Sequence, residues 1–520
     1  MVIDFNEPSE TIVSKRWSNK HWAVPASFRK VILIATLCCS NRILGQQAVE
    51  GQTDTSNTHR MVILEEVEAT GELREDIENV TLRPLLQVSS QEVSHSVANS
   101  FEDLLEYLPQ IDIRQRGKHG TQADLSIQGG TFDQSMVLLN GINISDPQTG
   151  HFQLNLPLDL QSINRMEVIT GSATRRFGTQ AFSGAVNLVT MPLDSTFYQA
   201  GLKYGMHRLY KGLAKANLSS KYISTLLSAG TAGSDGYREN TDFRNTHAYL
   251  HSVAEREKLE IHLMLGLNKR AFGANAFYSP LYIHQYEETA TSFSAMKLHW
   301  NEVRSAYALH LYFRQNRDYF LLDRNNPSFY VNNHLTRVSG ADLNGRFSTK
   351  AGIIYTGINS RFENIRSTSL GESFAEGEEI RYNDSIIFTN GHQRNQMNIN
   401  LNHALQLNSL TVSAGLMAHM NSDLDFQLKI FPGMDLRFGL PHSCWIYASV
   451  NQSMRLPTFT DLFYQGPTNV GNPDLEPETA TQYEIGAYHD SGNLHAGANG
   501  FYRQSRDLID WIWMEDEKWH

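Results

Sequence analysis

From Phe197 onward the chain is built of segments in which apolar and polar residues alternate. Leu259, Ile261, Leu263, Leu265 and Leu267 are separated by polar residues such as Glu260, His262 and Asn268. Leu410, Val412, Ala414, Leu416, Ala418 and Met420 alternate with Ser409, Thr411, Ser413 and His419, and Met397, Ile399 and Leu401 with Asn398 and Asn400. The run from Leu424 through Phe426, Leu428 and Ile430 to Phe438 reads as one further such segment. A period of two places one greasy and one polar face on each strand. A soluble sandwich would bury the greasy face, whereas a transmembrane barrel turns it to lipid around a polar lumen. Several runs reach the roughly nine to eleven residues that cross a bilayer, longer than the five or six usual in sandwiches. The linkers also alternate between short and long, with long loops expected at 317 to 333 and 360 to 385. The pattern therefore predicts an antiparallel transmembrane β-barrel.

Composition agrees with that class. Of 520 residues, 19% are charged and 41% hydrophobic, with Gly 36, Tyr 21 and Phe 25, a mixture of strands, turns and aromatics. A net charge of -11 gives no basic face for nucleic acid, so no nucleic-acid partner is expected. Three cysteines provide no disulfide framework. No apolar run is long enough for a spanning helix.

The first 195 residues differ. Arg29 and Lys30 precede VILIATLCC at 31 to 39, which reads as the core of a signal peptide within a 1–45 leader; a buried strand is the alternative. Residues 46–70 form a polar, flexible segment carrying the apolar island MVILEEVEAT. Residues 71–195 read as a compact α/β unit, and 196–520 as the barrel. Ser100 caps an expected helix with Phe101, Leu104, Leu105 and Leu108 on one face, ending at Pro109. Short strands follow in IDIRQRG, ADLSIQGG, SMVLLNGINI, RMEVITGS and AVNLVT.

This unit resembles the plug domain of TonB-dependent outer-membrane receptors. The resemblance rests on Leu108-Pro109, Gly129-Gly130 after a strand, and Asn140-Gly141 where the family usually has Asp-Gly. It continues through Arg165, Glu167, Gly171, Phe177-Gly178, Gly184 and Asn187. In the barrel, RLPTFTDLFY with Arg455 and Pro457, and GNPDLEPE with Asn472, Pro473, Leu475 and Glu478, resemble the late-barrel signature. The subgroup is similar to cobalamin- and siderophore-receptor-like members from Bacteroidetes-type bacteria.

The resemblance implies active import of a bulky, scarce nutrient across the outer membrane of a Gram-negative cell: a metal chelate, a siderophore or a cobalamin-like corrinoid. It implies TonB, of the TonB-ExbB-ExbD complex, as partner, and outer-membrane lipid around the wall. No cofactor is expected beyond a metal carried by the ligand. Residues 458 to 470 hold no histidine, which weakens a haem reading. The candidate TonB box is Val62, Ile63, Leu64, Glu65, Glu66 and Val67, with a first plug strand as its alternative. Candidate ligand contacts are Asp146, Gln148 and His151 in SDPQTGH, and Phe277, Tyr278, Tyr282 and Tyr286 in the wall. Asp235, Glu239 and Asp242 offer oxygens to calcium, but acidic loops are ordinarily solvated and no metal is assigned.

No catalytic set is present: neither GxSxG nor HExxH spacing occurs. A barrel enzyme or an adhesin is the rival class, and neither needs a plug. About 15 or 16 crossings can be placed against the 22 strands of plugged transporters. A C-terminally truncated receptor, unable to close unaided, is therefore the expectation.

The TonB-box assignment makes a prediction. Ile63→Pro removes a donor and fixes φ, so strand pairing with TonB should fail. Cells carrying it should bind ligand normally while uptake falls to background. Loss of binding would make 62–67 a structural part of the plug.

Overall fold

The computed structural model describes residues 81–117, 121–467, 469–491 and 494–520. The leader, its apolar core and the candidate TonB box lie outside the described residues.

Two layers of structure are nested. The inner one begins with β1 (Leu86–Ser89), α1 (Ser90–His95) and α2 (Phe101–Leu105). Its remaining strands are β2 (Ile111–Gln115), β3 (Ala123–Ile127), β4 (Ser135–Leu139), β5 (Ile142–Asn143), β6 (Arg165–Thr170) and β7 (Gly184–Val189), with α3 (Thr174–Phe177) between the last two. Five of them make a mixed sheet in the order β1-β6-β7-β4-β5, and β2 pairs with β3. Ser100 does cap α2, accepting from the Asp103 backbone at 3.2 Å. The helix is shorter than expected, however: it stops at Leu105, and Leu108 packs on the core from a turn. The Asn140-Gly141 pair takes positive φ at both residues (52° and 79°) and joins β4 to β5 as a two-residue hairpin. Gly184, at φ 155°, lets β7 pass so close to β6 and β3 that an added Cβ would meet Ile169 O at 2.6 Å.

The outer layer is one antiparallel sheet. Its strands are β8 (Phe197–Tyr204), β9 (Tyr210–Ser219), β10 (Ile223–Ser234), β11 (Phe243–Arg256), β12 (Leu259–Gly273) and β13 (Tyr286–Asn301). They continue with β14 (Ser305–Leu321), β15 (Val331–Thr349) and β16 (Gly352–Ser367). Short β17 (Glu372–Ser373), β18 (Ile380–Asn383) and β19 (Ile386–Phe388) decorate the following loop. The wall resumes with β20 (Asn390–Leu407), β21 (Leu410–Asn421), β22 (Lys429–Leu440) and β23 (Cys444–Arg455). After α4 (Phe459–Phe463) come β24 (Glu478–Ser491) and β25 (Leu494–Arg506). Fifteen strands follow one another in a single meander from β8 to β25, with β17 added beside β20. Among the described residues, each of the two end strands pairs on one side.

Alternation decides which way each side chain points. On β12, Leu263, Leu265 and Leu267 are exposed outward, while His262, Met264, Asn268 and Arg270 are buried inward. Trp300 and Tyr307 mark an aromatic girdle at the short-turn end of the wall, as at a membrane interface.

Three expectations need correction. Residues 424–438 are not one strand: Asp425 and Phe426 have φ of 49° and 54°, and a turn separates β21 from β22. The alternation there is accidental, because turn residues can share the phase of the strands they join. The loops expected at 317 to 333 and 360 to 385 are in part strand, since β14 runs to Leu321, β15 starts at Val331 and β16 runs to Ser367. Strands of up to 19 residues exceed the bilayer crossing, and beyond the lipid band their outward faces lose the greasy signature.

The inner layer sits within the wall, and the two meet through ions as well as apolar contacts. Val137, Leu139, Val168 and Leu188 share one core with the wall residues Tyr249, Met264, Phe293 and Val338. Around it, Arg361 donates to Ser145 O at 2.7 Å and to Glu363 at 2.7 Å. Glu363 also accepts from Arg394 at 2.8 Å. Arg175 of α3 reaches Asp435, and Arg83 lies 3.8 Å from the same carboxylate. Removing one member of such a buried network leaves uncompensated charge, at a cost of about 3–5 kcal/mol. Glu363→Ala, which strands Arg361 and Arg394, should therefore lower the temperature of the heat-induced mobility shift markedly. Lys258→Ala, at an exposed turn pair, should leave it unchanged.

Candidate functional site

The long loops of the wall and one edge of the inner layer enclose a cavity of about 320 Å³. The inner layer supplies Arg116, Phe132, Asp133, Gln148 and His151; the wall and its loops supply Phe277, Tyr278, Glu287, Asp318, His334, Asp461 and Tyr464.

Local chemistry explains how the inner segment is held. After Asp146-Pro147, the Gln148 backbone donates to Asp146 Oδ1 at 2.9 Å, an Asx turn. Pro147 O and Gln148 O then accept from the Phe459 and Thr460 backbones at the start of α4, at 2.8 and 3.1 Å. The α4 turn is itself fixed by reciprocal bonds between Thr458 and Asp461, and by Arg455, 2.5 Å from Asp461. Apical turn and wall loop thus form one hydrogen-bonded unit. Gln148 Nε2 donates to Asp318 Oδ2 at 2.9 Å, while Asp318 Oδ1 is buried with no partner. An unpaired buried carboxylate oxygen is costly unless something else meets it.

His151 Nδ1 lies 2.6 Å from Asp124, and its ring stacks on Phe132 at 4.2 Å. Burial would raise the Asp124 carboxyl, but the hydrogen bonds and charges of His151 and Arg116 outweigh it and hold Asp124 below its ordinary value. Tyr278 donates to Glu287 at 2.5 Å and accepts from Gln122 at 2.9 Å. Burial, with the Glu287 carboxylate beside it, pushes the Tyr278 phenol well up, so it remains a donor. Asp133 accepts from the Gly150 backbone at 2.7 Å, and burial pushes it up to about 6.

Of the sequence-predicted contacts, Gln148, His151, Phe277 and Tyr278 line this cavity, and three do not. Asp146 is turned away and paired with Arg314 at 2.6 Å. Tyr282 packs toward Phe329, and Tyr286 bonds Glu288 beneath the Arg324 guanidinium. The acidic trio does not converge either: Asp235 faces Arg208, Asp242 faces Arg324 and Glu239 lies nearest His284. Sequence reasoning missed Asp133, Glu287, Asp318 and His334. The last three share the inward parity of their strands near the long-loop end, which is the signal that could have found them.

The motif residues fall at joints. Glu167 is fully buried, takes Arg165 at 2.6 Å and Asn187 at 2.7 Å, and Asn187 accepts from the Gly141 backbone at 2.9 Å. Gly171, at φ 74°, leaves room for Arg83. Gly129 and Gly178 also take positive φ, and Gly130 packs against Ser183. Glu478 bonds Gln134 at 2.9 Å and lies 3.3 Å from Arg455, linking wall to inner layer. Pro457 O accepts from Arg394 at 2.9 Å. Asn472 opens an Asx turn to Asp474, carrying Pro473 and half-buried Leu475.

Comparison with known proteins identifies the two layers. Residues 143–514 match the family model "TonB dependent receptor-like, beta-barrel", and residues 79–185 match "TonB-dependent Receptor Plug Domain". The chain is 21% identical over 461 residues to the vitamin B12 transporter BtuB of Vibrio vulnificus, covering 84% of this chain and 69% of that one. It is 21% identical over 505 residues to BtuB of Photobacterium profundum, covering 92% and 74%. Among solved structures, a mutant ferric enterobactin receptor of Pseudomonas aeruginosa aligns with a TM-score of 0.64 at 12% identity, covering 83% and 72%. The siderophore receptor PirA of Acinetobacter baumannii aligns at 0.64 and 14%, covering 84% and 72%.

The Asp133 environment carries a pH prediction. Its folded value lies above the ordinary 3.8, so the folded state holds the extra proton between about 4 and 6. Its contribution to stability is present at low pH and lost as pH rises through about 6. Asp133→Asn keeps the acceptor for Gly150 and should melt higher than the parent at pH 7.5 and equally at pH 4. A pH-independent difference would contradict this.

Proposed function

This chain belongs to the TonB-dependent receptor family, and from that premise we propose that its cargo is a neutral or cationic chelate or corrinoid. The family is one of receptors and transporters, not enzymes, and it works by active nutrient import across the outer membrane. The observation that carries the cargo class is the scarcity of cations in the cavity: Arg116 is the one guanidinium among its described lining residues, and Asp461 there is already paired with Arg455. A polyanionic ferric catecholate would find little positive charge to hold it, whereas a corrinoid or a neutral hydroxamate chelate offers amide donors to Asp318 and a broad face to Tyr278 and Phe132. The vitamin B12 transporters among its relatives support the corrinoid branch.

In this reading, ligand seats on the apical turn Gln148–His151. That turn is bonded to α4, so ligand is sensed by plug and wall together. TonB, energised by its ExbB-ExbD complex, then pairs with residues 62–67 as an added strand and pulls on the plug.

The test is binding of cyanocobalamin, a neutral ferric trihydroxamate and a ferric tris-catecholate to cells with this receptor. One of the first two should bind and the third should not. Asp318→Asn with Tyr278→Phe should weaken that binding roughly tenfold or more, as loss of charged and neutral hydrogen bonds at a buried site does. Preferential binding of the catecholate would overturn the reading.

A further inference from the structure

A second group of chemistry-bearing side chains lies at the opposite end of the wall, far from the loops. Glu260 and His262 on β12 and His299 on β13 point inward, and Glu260 is the register partner of His299. On the outer face of the same level stands Trp300, in the aromatic girdle next to the short turns. These turns are the periplasmic ones in a barrel of this family. Side chains of Glu260 and His299 are about one-fifth exposed there, and His262 is buried behind them.

One ligand atom from each of the three falls within 4.8 Å of the others. His262 Nε2 is 2.6 Å from a Glu260 oxygen, and His299 Nδ1 is 3.9 Å from the other oxygen. The first contact is not a hydrogen bond, because Nε2 has no partner in bonding geometry despite its burial.

The neighbouring bonds say which nitrogen is bare. His262 Nδ1 lies 2.9 Å from His251 Nε2, and His251 Nδ1 lies 2.8 Å from Thr190 Oγ1. Thr190 Oγ1 also accepts from Asn140 Nδ2 at 2.8 Å and lies 2.9 Å from the Tyr249 hydroxyl. Protons placed on His262 Nδ1 and His251 Nδ1 satisfy every bond of this chain, with Thr190 donating to Tyr249. The opposite tautomers would put a proton on His262 Nε2 and leave it out of line with any acceptor. His262 Nε2 is therefore left unprotonated beside a carboxylate oxygen 2.6 Å away. An unprotonated ring nitrogen and a carboxylate so close repel unless a cation stands beside them. On the other side, His299 Nε2 lies 3.4 Å from His310 Nε2, which frees Nδ1 to face Glu260.

We propose that Glu260, His262 and His299 form a site for a divalent transition metal of the zinc class at the periplasmic rim of the barrel wall. Two imidazoles and one carboxylate are a preferred donor set for such an ion and leave an open position toward solvent. His251 and His310 are the outer partners that fix ring orientation and tautomer. Lys297 opposes the ion: it is buried on the same face and donates to Asn140 O at 3.1 Å. The Glu260 charge offsets it. Because the His251–Thr190 chain ends on Asn140, an ion here ties the plug hairpin turn to the wall.

The test uses the purified receptor in detergent, with Co²⁺ as a spectroscopic probe and Zn²⁺ as competitor. One equivalent of Co²⁺ should give visible bands of low coordination number that Zn²⁺ abolishes. Glu260→Gln and His299→Ala should each weaken binding roughly tenfold or more, while His207→Ala, at an exposed turn, should not. Glu260→Gln is isosteric at a partly exposed position, and an unchanged heat-induced mobility shift verifies its fold. Absence of a bound equivalent, or binding indifferent to Glu260→Gln and His299→Ala, would overturn the proposal.

Discussion

Hydrocarbon offers no hydrogen-bond partner to a peptide group, and the architecture of this chain follows from that constraint. Between the two end strands, each main strand of the wall bonds both neighbours in continuous antiparallel register, so that its lipid-facing backbone is satisfied within the sheet. Side chains then divide by parity. Leu263, Leu265 and Leu267 meet lipid, and the intervening positions must be content inside. A wall this wide cannot fill its lumen with side chains alone, and the plug does so.

The interior consequently carries buried ionic networks beside the apolar core that plug and wall share. Arg361, Glu363 and Arg394, and Arg83, Arg175 and Asp435, hold the plug by charge-assisted bonds. A transporter whose plug must move gains from this choice. Polar contacts can exchange with water if the plug shifts. The apical turn bonded to α4 occupies the same interface at its outer end, so the proposed ligand seat is joined to both plug and wall.

Much of this was legible in the sequence, for a physical reason: period-two alternation is strong where one face meets lipid. β12, β20 and β21 were readable for that reason, and so was the plug through its turn residues, with Asn140-Gly141 requiring positive φ at both positions. Legibility ended where lipid ended. Residues 317–321 of β14, 331–333 of β15 and 360–367 of β16 interrupt the alternation and read as loop, and the turn at Asp425-Phe426 read as strand. The cavity was half visible. Gln148, His151, Phe277 and Tyr278 stand in recognisable loops, but Asp318 lies within a stretch read as loop and His334 directly after it. The histidines of the rim were hidden differently, since His262 and His299 meet only through the register of β12 with β13.

The central claim is that ligand held at the plug apex is imported by energy delivered from the inner membrane. Its most direct measurement is accumulation of labelled cyanocobalamin or ferric trihydroxamate, before and after a protonophore, in cells whose only receptor for it is this one. The account predicts that surface binding persists while accumulation inside the cell stops. Accumulation that continues at the same rate without the proton gradient would contradict it and would make the molecule a passive pore.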